Sequence, residues 1–297
     1  MRFADKLKSI RTQAGMSQEK LAEKLGVSRQ AVTKWETNGG IPDIENLMAI
    51  SALFHITIDE LLSNEKEQNK KQDYLYESIT EYDIDYQKHY DMKFGGAKLL
   101  IMSGYEGEKI RIRLASNTLE TLQSDFKLKI DDIKGWFDNK RGRIDLNIVR
   151  KDNVTEALAK EALSIFISLP NNYMGKIELA VNAQNIELHS LECESIELDV
   201  RTEHVVLDNI VGTVEIDCNM DMNIICGSLN GAVEINQVSA TSRIRIPEET
   251  LFTAVKKGVK TSIFYEENGK QSEAFSTPDA DNVIELNGIN SELIISR

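Results

Sequence analysis

The sequence predicts a multidomain chain: an all-α five-helix bundle followed by an all-β, parallel β-solenoid-like repeat domain. Three observations predict it. Short amphipathic runs bounded by helix-start and helix-stop residues fill positions 1–63. From Ile177 onward, strand-like pentads recur at steps of 18 or 19 residues. Charge divides unevenly: the first 63 residues carry eight Lys plus Arg and eight Asp plus Glu, so of the chain's 35 and 48 the remainder holds 27 and 40, a net of −13. A period of that length marks stacked units, each burying its apolar face only against its neighbours.

The helices are expected near Phe3–Ala14, Gln18–Leu25 and Arg29–Thr37, then from the cap Asp43 through Phe54, and last from the capping box Thr57-Ile58-Asp59-Glu60 to about Leu62. Ser17 and Ser28 each precede an amphipathic run, where a hydroxyl accepts from an orphan amide. Met16 with Leu21, Val27 with Val32, and Ile56 with Leu61 have hydrophobic-staple spacing, which fixes the entry angle of the chain. Gly26 supplies the positive φ that ends the second helix. On the third, Val32 and Trp35 face inward and Ala31 permits close packing. Arg29, Gln30, Thr33 and Lys34 are left outside. They are donor-rich side chains on a rod of the diameter that fits the major groove.

The stretch SQEKLAEKLGVSRQAVTKWETN, with LKSIRTQAGM before it and PDIENLMAISALFHITIDELL after it, resembles the helix-turn-helix of the Cro and phage-repressor (XRE) family of bacterial regulators, from about Phe3 to Leu62. One departure shows: Thr37 is followed by Asn38 where the family has Gly, and Asn tolerates the left-handed conformation nearly as well. The resemblance implies a transcriptional regulator, repressor or activator, acting as a homodimer on a palindromic operator in double-stranded DNA. Arg29 and Gln30 would read guanine and adenine edges. Thr33 and Lys34 would reach a thymine methyl, a base edge or a phosphate. Gln18 would anchor the backbone, and Ser28 and Asn38 would donate to phosphates. For Gln18 and Ser28, helix-start chemistry alone is the alternative, and the two roles can coexist. The resemblance also implies a structural Arg11–Glu36 salt bridge.

Residues 64–96 read as a connector. EKEQNKKQ, from Glu65, is polar and aperiodic. Five of the eight tyrosines follow between Tyr74 and Tyr90, and Tyr82, Tyr86 and Tyr90 are spaced to share one side of a helix. Such a connector would dock on the second domain or on another subunit. The sharper alternative is a stripe that grips a ligand.

Residues 97–297 read as strands, with one helical interruption over Val154–Ile165. LLIM, KIRIRLA and RIDLNIV concentrate branched apolar residues. IELAV at Ile177, IELDV at Ile196, VEIDC at Val214 and VEINQ at Val233 form one series. IELHSL at Ile186, VVLDNI at Val205 and IICGSL at Ile224 form a second between them. SLPNNYMGKIELAV, the strand repeats, RIRIP and VIELNGINSELIIS resemble an adhesin-like β-strand repeat family of bacteria. That resemblance implies a fold and almost no chemistry.

Stacking would set Glu178, Glu197, Glu215 and Glu234 in one outward column, about 4.8 Å apart, with Asp199 beside Asp217. The ordinary outcome is a solvated acidic face. The alternative is a face for a cationic ligand, a basic peptide or a metal. An acidic remainder does not bind DNA broadly, so nucleic-acid contact is expected in the first domain alone. Cys193, Cys218 and Cys226 form an odd set without CxxC spacing and are expected as buried free thiols, and with four histidines no metal site and no cofactor are expected. No run reaches the roughly 20 apolar residues that span a bilayer, so no membrane partner and a cytoplasmic location are expected. No enzymatic activity is expected either, because the repeat strands lack the Lys and Arg that would accompany the acidic column in a polysaccharide-cleaving site. The β domain is left two roles: a sensor or oligomerisation module that takes an unidentified effector, or a protein-interaction scaffold that the helical bundle recruits to DNA.

Overall fold

A computed structural model describes residues 3–13, 16–37, 39–40, 42–54, 74–134, 142–267, 270–273, 276–278 and 280–297. The chain divides into two compact units, Met1–Asp73 and Tyr74–Arg297.

The first unit contains α1 (Phe3–Gln13), α2 (Gln18–Leu25), α3 (Arg29–Glu36) and α4 (Ile44–Phe54). The local chemistry acts where expected. The Ser17 hydroxyl accepts from the Lys20 amide and the Ser28 hydroxyl from the Ala31 amide, both at 3.1 Å. Gly26 ends α2 at φ 67°, and the Asp43 carboxylate accepts from the Asn46 amide at 2.9 Å to start α4. Phe3, Leu7, Leu21, Ala22, Val32, Trp35, Leu47 and Ile50 form its core. Each large apolar side chain buried there contributes about 1.5–3 kcal/mol. The helix expected over Thr57–Leu62 and the EKEQNKKQ stretch lie outside the described residues.

The second unit is all β apart from short helical turns. Its strands are β1 (Tyr76–Asp83), β2 (Lys88–Tyr105), β3 (Lys109–Ser116), β4 (Phe126–Ile133), β5 (Gly142–Arg150), β6 (Ser164–Pro170), β7 (Met174–His189) and β8 (Glu192–Arg201). There follow β9 (His204–Asp208), β10 (Ile210–Asp217), β11 (Met222–Cys226), β12 (Leu229–Val238), β13 (Thr241–Arg245), β14 (Thr253–Glu267), β15 (Lys270–Glu273) and β16 (Val283–Ser296). The repeats pair in parallel and in register: Ile177 with Ile196, Ile196 with Val214, Val214 with Val233, and Val233 with Ile284. The second series does likewise, Ile186 with Val205 and Val205 with Ile224. One continuous apolar core lies inside.

What the period does not disclose is closure. β7 and β16 are long enough to serve both series. β7 pairs with β8 through its first half and with β9 through its second, and β16 does the same with β12 and β13. The circuit β7-β8-β10-β12-β16-β13-β11-β9 therefore returns to β7 through eight parallel strands, while β2 and β14 run the full length of β7 and β16 on their other edges. Two strands also break sequence order. β2 lies between β7 and the pair β5 and β6, and β14 lies outside β16 although it precedes it.

A polar ladder seals one corner at the repeat period. Asn171 Nδ2 donates to the Ser190 carbonyl at 3.1 Å, Asn209 Nδ2 to the Ser190 hydroxyl at 3.2 Å, and the Asn209 amide to the Ser228 hydroxyl at 2.9 Å. Ser190 and Asn209 adopt positive φ of 52° and 55° there. The expected helix at Val154–Ile165 is shorter, Glu156–Ala162, capped by Thr155 and followed by β6.

The connector expected over residues 64–96 is corrected from Tyr74 onward, because these residues belong to the β unit. Tyr82 lies in β1 and Tyr90 in β2, with Tyr86 in the turn between them. The error has a simple cause. A spacing of four fits one helix face, and it arises equally where a strand end, a turn and the next strand follow one another. Tyr90 is 1% exposed, and Tyr82 packs on the same core. Beside them Lys88, with its side chain fully buried, places Nζ 2.7 Å from Asp132 Oδ1 and 3.7 Å from the centroid of the Tyr86 ring. The tyrosines thus close one end of the core.

Candidate nucleic-acid interface

The third helix is held from behind. Arg11 Nε donates to Glu36 Oε1 at 2.6 Å and Arg11 Nη2 to Glu36 Oε2 at 3.0 Å, so the expected pair is present and bidentate. The hydrogen bonds and charge of the Glu36 carboxylate raise the Arg11 pKa above its usual value. Arg11 Nη1 also donates to the Met16 carbonyl at 2.6 Å, which ties down the chain entering α2.

Gln18 extends this network, a link no local signal discloses. Its Nε2 donates to Glu36 Oε2 at 2.8 Å, and its Oε1 accepts from the Thr33 hydroxyl at 3.1 Å. That hydroxyl also lies 3.0 Å from the Arg29 carbonyl, so its one hydrogen serves two acceptors. Gln18 and Thr33 are half-buried, joined to each other across α2 and α3. Ser28 is exposed and occupied as the α3 cap. Arg29, Gln30 and Lys34 are exposed, on the opposite side of α3 from the buried Val32 and Trp35. Asn38 lies outside the described residues. The Gly39 amide donates to the Lys34 carbonyl at 2.8 Å.

The β unit carries the acidic column, longer than the repeat series alone implies. Glu178, Glu197, Glu215, Glu234 and Glu285 are successive register partners, and Asp145 and Asp91 continue the row beyond Glu178. Asp199 pairs with Asp217 two residues along. Cations sit at the ends: Arg143 Nη2 is 2.8 Å from Asp91 Oδ2, and Lys257 Nζ is 2.7 Å from Glu285 Oε1. Midway, Asn236 Nδ2 donates to Glu215 Oε1 at 2.7 Å. Partial burial, then the charges of Glu178 and Glu215, raise the Glu197 carboxyl above its usual range. Burial, then Glu285 and Glu215, do the same for Glu234.

On another face, His189 stands between two carboxylates, 3.2 Å from Glu187 Oε2 and 3.6 Å from Asp208 Oδ2. Hydrogen bonds to Asp208 and then Glu187 push its pKa up to about 9. Cys218 and Cys226 are buried and Cys193 half-buried, all three free. Burial raises the Cys193 and Cys226 thiols to about 12, which keeps them protonated and unreactive at neutral pH. Among the described residues, no group of three or more His, Cys, Asp or Glu could hold a metal ion, and no helix is long and apolar enough to cross a membrane.

Residues 7–61 match the Helix-turn-helix family HTH_3. Over 66 residues the chain is 52% identical to the HTH-type transcriptional activator BcrR of Enterococcus faecalis, covering 22% of this chain and 32% of that protein. Over 71 residues it is 35% identical to the HTH-type transcriptional regulator YqaE of Bacillus subtilis (strain 168), covering 24% of this chain and 61% of that one. The chain thus spans about a third of the length of the first relative and about six tenths of the second. For the β unit, a solved structure of a candidate cell adhesion protein from Clostridium sporogenes ATCC 15579 aligns at 15% identity and a TM-score of 0.37, covering 74% of this chain and 98% of that chain. The N-terminal region is a helix-turn-helix domain of the XRE type.

Proposed function

We propose that the chain is a sequence-specific DNA-binding transcriptional regulator, acting as a homodimer on a palindromic operator, with α3 laid in the major groove. One observation carries the reading. The side chains of Arg29, Gln30 and Lys34 stand exposed on α3 without a hydrogen bond or ion pair to another described residue, while Val32, Trp35 and the Arg11–Glu36 pair hold the helix from behind. Unpaired donors on a fixed rod break no bond within the protein to meet base edges, and the backbone that carries them is already ordered. Arg29 and Gln30 take the base contacts, and Lys34 takes a base edge or a phosphate. Ser28, Gln18 and Asn38 set register on the backbone. The likeness of this region to BcrR and YqaE, both named as transcriptional regulators, supports the class.

The β unit serves, in this reading, as the sensor or oligomerisation module, and its acidic column as a solvated face that keeps DNA to the first unit. The other reading makes it a scaffold for a protein partner. A partner or effector whose addition alters operator affinity favours the first reading, and one that binds without altering it favours the second.

Mobility shifts on DNA from the chain's own locus, taken across salt concentrations, test the proposal. Arg29→Ala should cost about 1–3 kcal/mol on the specific site and much less on unrelated duplex. Gln18→Ala should weaken both together. An Arg29→Ala protein that keeps its sequence preference would show the docking register to be wrong.

A further inference from the structure

We infer that the β14 end of the β unit is a guarded interface: its open edge and core column fit a second copy of this chain, and Lys256 keeps that copy away. The inference does not rest on the DNA-binding reading, and it bears on which surface of the β unit can oligomerise.

One column of the core runs across seven strands. Leu146, Met92, Leu179, Leu198, Ile216, Ile235 and Leu286 are successive register partners, each no more than 2% exposed. The next position is Lys256, paired in register with Leu286 and exposed. Ala254, two residues before it, packs on the core, so Lys256 holds the inward parity of its strand. A row of aliphatic side chains therefore ends on an ammonium.

The backbone at this position is open. β14 pairs with β16 on one side, and β15 covers its other side only over Phe264–Glu267. From Ala254 to Ile263 that second edge has no strand partner among the described residues. A strand added there would continue the ladder and set its own apolar residue over Lys256. The edge is otherwise adhesive. Val259 is 63% exposed and lies in register with Ile289 at 56%, itself in register with Val238 at 47%, an apolar row running out to the edge. An inward-pointing lysine opposes such pairing, because an added strand would strip water from a charge and give it no counter-ion. Lys257, its neighbour, is different: it faces outward and pairs with Glu285.

Sedimentation equilibrium of the full chain tests this, with Lys256→Leu, which completes the column, Lys256→Thr, which removes the charge from a strand-compatible residue, and Lys257→Leu as the outward control. Circular dichroism first establishes that each variant keeps the wild-type fold. If the Leu variant does not fold, the Thr variant carries the test. Folded Lys256 variants should associate beyond the wild-type species, the weight-average mass roughly doubling as copies meet edge to edge, while Lys257→Leu sediments as wild type. The inference is overturned if the folded Lys256 variants match wild type at every concentration. It is equally overturned if Lys257→Leu associates as strongly, since charge loss anywhere on the strand would then suffice.

Discussion

The two units hold their charged side chains in opposite ways. In the helical unit the buried charges are matched one to one: Glu36, with its side chain 1% exposed, is met by Arg11 and Gln18. Arg29 and Lys34 are left in water. In the β unit the charges repeat because the strands repeat. Glu178, Glu197, Glu215 and Glu234 stack with like neighbours, with ion pairs to Arg143 and Lys257 toward the ends of the row and the charge of Lys176 acting on Glu197 within it. A helix surface can vary at every position, so it can be fitted to one ligand. A ladder copies its side chains at a fixed spacing, so its surface is set first by the fold. For that reason the α3 face carries the functional proposal and the acidic column does not.

The contrast can be broken most forcefully at Glu36. Arg11→Ala leaves a buried carboxylate without its cation, and the helical unit should lose about 3–5 kcal/mol, read as a lower denaturant midpoint for its far-ultraviolet signal. An unchanged midpoint would show that the pair is idle. Next comes His189, whose imidazole lies in register with Asp208 and beside Glu187. Its pKa in the folded chain is raised to about 9, so the folded state binds the proton more tightly than the unfolded one. That stabilisation is complete below about pH 6.5 and fades as pH rises through about 9, a loss of roughly 3 kcal/mol. His189→Gln should flatten the fall in β-unit stability over that window, as followed by denaturant melts at a series of pH values. The smallest effect is expected at Glu197. Removing one charge from the middle of the column with Glu197→Gln should raise stability by a few tenths of a kcal/mol at low ionic strength and by nothing measurable in high salt. A destabilised Glu197→Gln protein at low salt would mean that the column does not repel itself.

The helical unit was legible nearly residue by residue, because its signals are local. Ser17, Ser28, Gly26 and Asp43 each act within a few positions of themselves. Gln18 was legible only in part: its bond to Glu36 spans 18 positions and depends on how α2 and α3 pack. In the β unit, periodicity disclosed the register of the repeats and the existence of the glutamate column. It could not disclose order. The fifth member, Ile284, follows an excursion through β14 and β15, and β2 inserts beside β7 from far upstream. Closure was hidden for a related reason, since β7 and β16 look like ordinary repeats until both halves find partners. The Asn171, Ser190, Asn209 and Ser228 corner was in plain view at the same period, and apolar patterning alone passes over it.

The inverted placement of β14 also has a consequence for biosynthesis. β14 is synthesised before β16, the strand that lies between it and the rest of the β unit. Until residues 283–296 follow, both β12 and β14 lack the strand that each pairs with in the finished structure. Lys256 is already in place during that interval, so the one charge inferred to guard the finished edge is also present while the strand waits for its partner.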